Sequence, residues 1–92
     1  MIKLQRIVLD ILKPHHPGAL EFASAMAERM PGCRVMLRVD EMDERTETLQ
    51  VVIEGELISF NSITDAIADL GASLHSIDEV DVLNTGSADS DD

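Results

Sequence analysis

"LQRIVLDILKPHHPGALEFA", Leu4 to Ala23, is the stretch whose reading decides the fold. Ile7, Leu9 and Ile11 alternate against Arg6, Val8, Asp10 and Leu12, which predicts a strand with one apolar face and one mixed face. Pro14 and Pro17 bracket its exit and forbid a central strand there. Pro17 suits a first helical turn, where its missing N–H costs nothing. Leu20, Ala23, Ala27 and Met30 then follow helical spacing, with Phe22 and Met26 beside the stripe, until Pro31-Gly32 stops the helix.

Working outward, "CRVMLRVDEMDERTETLQVVIEGE" predicts a hairpin. Val35, Leu37 and Val39 alternate in one arm, Leu49, Val51 and Ile53 in the other, with a loop around Met42 to Arg45. "SFNSITDAIADLG" predicts a second helix on Phe60, Ile63, Ile67 and Leu70, with Ser59 as its N-cap and Gly71 as a left-handed stop. "SLHSIDEVDVL" is a last strand whose alternation breaks at Ile77; a bulge near Ser76 reconciles the two halves. One domain over residues 1–83 is expected, followed by a disordered acidic tail over 84–92.

The order is βαββαβ. Right-handed crossovers and two helices on one sheet face give an α+β, ferredoxin-like sandwich with a four-stranded sheet in the order 4-1-3-2. Strands one and three are expected at its centre, running parallel. That arrangement gathers Lys13, His15, His16, Cys33, Glu54, Glu56 and His75 at one end of the sheet, with His15 facing His75. The acidic hairpin falls at the other.

Composition narrows the function. The 92 residues carry 18 acids against 7 bases, a net charge of -11, and aromatic residues make up 2%. Such a surface repels a phosphate backbone and lacks the stacking platforms of single-strand binders, so no nucleic-acid partner is expected. Many acids and only two lysines, Lys3 and Lys13, suit a protein of concentrated salt, where ions screen the repulsion. Cys33 is the single cysteine, so an internal disulfide is excluded. No secretory leader or membrane-spanning run is apparent, and a cytoplasmic location is expected.

Two metal possibilities arise. Imidazoles at His15 and His75 suit a transition metal, and carboxylates at Asp40, Asp43 and Glu44 suit a hard cation such as calcium or magnesium. Neither has the spacing of a dedicated motif, and the cofactor is left open, a divalent ion among the possibilities. Cys33 or His75 are the groups an enzyme would use, but no nucleophile elbow or phosphate loop accompanies them. The mixed sheet face and the bare edge strands point instead to contact between copies.

The segments "RIVLDILKPHHPGALEFA", "TLQVVIEGE" and "LGASLHSIDEV" resemble the archaeal DUF211 family, a domain of unknown function, across most of the chain. Asp10, Lys13, Pro14, His15, Pro17, His75, Asp78 and Glu79 match its motif positions, while His16 stands where the family more often has an acid. The resemblance implies a ferredoxin-like fold, a ring-like homo-oligomer and an archaeal source, and it implies no known activity. The combined expectation is a non-enzymatic, ring-forming binding or regulatory module. Its self-association is accompanied by a small ligand or cation, held by Asp10, Lys13, His15, His75, Asp78 and Glu79.

Overall fold

The computed structural model describes residues 1–86. The rest of the expected acidic tail lies outside the described residues. The elements are β1 (Ile2–Pro14), α1 (Ala19–Glu28), β2 (Arg34–Met42), β3 (Thr46–Glu54), α2 (Phe60–Asp69) and β4 (Ser73–Asn84). The strands form one sheet in the order β2-β3-β1-β4, the expected order, and all three pairings are antiparallel.

The expected parallel pairing of the central strands is therefore corrected. A right-handed crossover makes β1 and β2 run the same way; the hairpin then reverses β3, which lies between them. The register sets Pro14 opposite Thr46 at one end and Arg6 opposite Glu54 at the other. The end of β1 thus meets the hairpin, while Cys33, Glu54 and Glu56 sit at the opposite end from His15.

Ile7, Leu9 and Ile11 of β1 and Leu49, Val51 and Ile53 of β3 form the floor of the core, each at most 2% exposed. Phe22, Met26 and Met30 of the first helical segment close it from above, joined by Ile63, Ala66 and Ile67 of α2. Leu20, expected in the first stripe, stands 81% exposed, because the buried face follows Phe22, Met26 and Met30 at steps of four. Helix α1 begins after Gly18 rather than at Pro17. Ser59 caps α2 by accepting from the Ser62 N–H at 3.2 Å, and Gly71 follows with φ +77°.

Bulges decide how the edge strands present their side chains. In β4 the register slips on either side of Ser76–Ile77, leaving His75 and Asp78 as the extra residues. The two slips keep Leu74, Ile77 and Val80 on the helix side of the sheet, opposite Ile11, Leu9 and Ile7. In β2 another slip leaves Asp40 extra, so that Glu41 stands opposite Thr48. Strand β4 also runs one residue beyond the expected boundary, and the Thr85 N–H donates to the Met1 carbonyl at 2.9 Å.

Candidate functional site

Two polar groups form where β1 leaves the sheet, one on each face. On the helix side, Lys13 follows Ile11 in the inward alternation and is fully buried. A buried ammonium needs acceptors for its protons. Its Nζ donates to the Pro14 carbonyl at 2.9 Å and the Pro17 carbonyl at 2.7 Å, and pairs with Glu47 Oε1 at 2.9 Å. The register that sets Lys13 opposite Glu47 provides the last contact.

Glu47 also holds His15, whose Nδ1 lies 3.0 Å from Oε2. The other ring nitrogen, Nε2, lies 2.9 Å from the Asp43 carbonyl and 3.0 Å from that of Glu44. All these partners are acceptors, so the ring satisfies them only as a doubly protonated imidazolium. The bond to Glu47, followed by that to the Glu44 carbonyl, raises the His15 pKa above its ordinary 6.5. The bond from His15, followed by that from Lys13, lowers the Glu47 pKa below its ordinary 4.5. The cluster ties the β1–α1 turn to the β2–β3 hairpin.

On the open side, Asp10 Oδ2 lies 3.3 Å from His75 Nδ1. The bulge at His75 brings the imidazole here, where Asp10 stands opposite Ser76. The other carboxylate oxygen of Asp10, Oδ1, is buried and has no hydrogen-bond partner among the described residues. Beside the pair lies a hollow of about 390 Å³ lined by Asp10, Leu12, Glu41, Thr48 and His75. Farther along this face Arg6 bridges Glu54 and Glu79, the latter at 2.8 Å, over the buried Val8.

The expected facing pair of His15 and His75 is thus corrected. Each histidine has its own carboxylate, Glu47 for one and Asp10 for the other, and the two pairs occupy different faces. Of the other candidates, Asp78 accepts from the Ser76 hydroxyl, Glu79 pairs with Arg6, and Asp40 pairs with Arg38. Asp43 and Glu44 offer His15 their carbonyls. Among the described residues, no three His, Cys, Asp or Glu side chains gather to hold a metal ion. Cys33 is half-buried against the core, with its main chain and sulfur close over Gly55. No described helix is long and apolar enough to cross a membrane.

Glu47, Glu41 and Thr48 are the residues that sequence reasoning missed. The antiparallel register is the signal that finds them, since it sets Glu47 opposite Lys13 and Thr48 opposite Leu12.

Order, register and the two-helix layer make this an α+β protein of ferredoxin-like topology, with polar groups concentrated at the exit of β1. The chain matches the DUF211 family, described as uncharacterized ArCR, over residues 5–85, and it belongs to that family. It is similar to the uncharacterised protein MJ0319 of Methanocaldococcus jannaschii, 43% identical over 77 residues that make up 84% of this chain and 79% of the relative.

Proposed function

We propose that the protein is a non-enzymatic binding module of the cytoplasm that works as a ring-like assembly of its own copies, joined through β4. The observation that carries this reading is the uncovered apolar stripe on that edge strand. Ile77, Val80 and Val82 are 47%, 56% and 56% exposed, although the register places them on the helix side of the sheet beside Leu9, Ile7 and Leu4. Helix α2 covers only the start of the strand, where Leu74 packs against the core. Beyond it, these side chains are about half exposed and the outer backbone groups of β4 pair with no strand among the described residues, and such an edge is a template for another strand.

The open sheet face is the weaker candidate for this contact. Arg6, Glu54 and Glu79 cover its centre with ion pairs, so docking there strips charged groups of water. Apolar contact through β4 also suits a chain of net charge -11, whose copies repel one another until salt screens them. Salt adaptation and assembly are in this way parts of one reading.

Sedimentation of the full chain in molar potassium chloride tests it. The native chain is expected to sediment as a closed multimer and V80K as a monomer, with the helical circular dichroism of the two unchanged. A native chain that sediments as a monomer at micromolar concentration contradicts the proposal.

A further inference from the structure

The hollow on the open face is built by two irregularities that act together. One row of the sheet carries Glu41 on β2, Thr48 on β3 and Leu12 on β1, each register-paired with the next. Glu41 joins that row because Asp40 is bulged out of β2, and His75 reaches its other end because it is itself the extra residue in β4. Plain alternation on either edge strand gives a different lining. Bulges recur next to functional sites because they re-aim side chains in this way.

The lining is mainly apolar, with carboxylates on two of its strands. Asp10 stands at one end of it with its side chain 29% exposed, while its Oδ1 is shielded and has no hydrogen-bond partner among the described residues. Glu41 makes no ion pair among the described residues, and the Thr48 hydroxyl makes no hydrogen bond there. His75, whose Nδ1 lies 3.3 Å from Asp10 Oδ2, completes the lining beside that carboxylate. Leu12, 41% exposed, supplies an apolar floor between the two carboxylates. The volume of about 390 Å³ is that of a small-molecule pocket.

Two spaced carboxylates with an apolar floor between them define the ligand. A bare metal ion needs its donors around one point, and no three such side chains of the described residues provide that. Strands β2 and β1 stand two strand spacings apart, about 10 Å. A polyatomic cation with a charge at each end and methylenes between them spans such a gap. We infer that the hollow binds a linear alkyl diamine, one ammonium on Asp10, the other on Glu41 and Thr48, with its methylenes over Leu12. This deepens the binding half of the proposed function by naming the ligand class.

Calorimetric titration of the full chain with diaminopentane, at a salt concentration where it is folded, tests the inference. Saturable binding is expected, and E41Q and D10N are each expected to weaken it about tenfold through loss of a charge-assisted hydrogen bond. E41Q changes an exposed side chain, so the test stays readable if D10N disturbs the contact with His75. E44Q, on the hairpin outside the hollow, is expected to bind as the native chain does. The bis-quaternary analogue, with the same charges and no N–H donors, is expected to bind at least tenfold more weakly than the diamine. Equal binding of the two compounds, or unchanged affinity in E41Q and D10N, overturns the inference, as does a calcium titration that saturates and is lost in the same variants. Sedimentation in the same buffer separates the two readings. A monomer that binds the diamine contradicts assembly alone, and an assembly that ignores it contradicts the diamine site alone.

Discussion

His15 is held by three acceptors and is the group whose protonation the fold most visibly uses. Its pKa is raised in the folded chain, by Glu47 first and then by the hairpin carbonyls. Its contribution to stability is therefore complete below the unfolded value near 6.5 and is lost as pH rises through the higher folded value. Glu47 works in the opposite sense: its pKa is lowered, so its contribution is present above about 4.5 and is lost as pH falls through the folded value. Urea midpoints measured across pH are expected to decline in the native chain as pH rises above about 6.5, and H15Q is expected to flatten that decline. An equally steep decline in H15Q contradicts the account. The lone polar residues of this end were legible from the sequence, because Lys13, His15 and Pro17 crowd a strand exit. Their partner Glu47 was not, because the pairing depends on the direction of β3. With β1 and β3 taken as parallel, Glu47 belongs to the far end of the sheet.

At the scale of elements, periodicity located every strand and both helices, and local signals set most of their ends. Ser59 is the clearest case, and S59A is expected to lower stability by about 1 kcal/mol, read from urea unfolding. The end of β3 is set by packing rather than by turn chemistry. A Cβ built on Gly55 meets Cys33 Sγ at 2.7 Å and Cys33 Cα at 3.3 Å. G55A is accordingly expected to cost about 1–3 kcal/mol, with part of the loss recovered in the double variant G55A/C33A. Full additivity of the two substitutions contradicts a direct clash. The sequence carried no sign of this contact, since a glycine between two glutamates looks like any turn. The broken alternation in β4 was legible as one bulge near Ser76, whereas the strand uses two, at His75 and Asp78. One slip moves Ile77 to the helix side; the second is needed to bring Val80 there as well.

At the scale of the whole molecule, charge and apolar edge act against each other. The net charge of -11 opposes both folding and association until counter-ions screen it. The melting midpoint is expected to rise from low to molar potassium chloride, and a flat response contradicts the salt-adapted reading. Strand order was readable from the succession of elements, because two right-handed crossovers and a hairpin admit few arrangements. Which polar residues share an end was not, because that turns on strand direction alone.

Hydrogen exchange along β4 tests most directly whether copies meet through this edge. Half of its amides bond to β1 and are protected in any state; the other half point outward from the sheet. If copies assemble through β4, the outward amides of the Ile77 to Val82 stretch are protected at concentrations where the assembly persists and exchange freely on dilution or in V80K. Fast exchange of those amides in the concentrated native chain, at the rate found in V80K, contradicts the account.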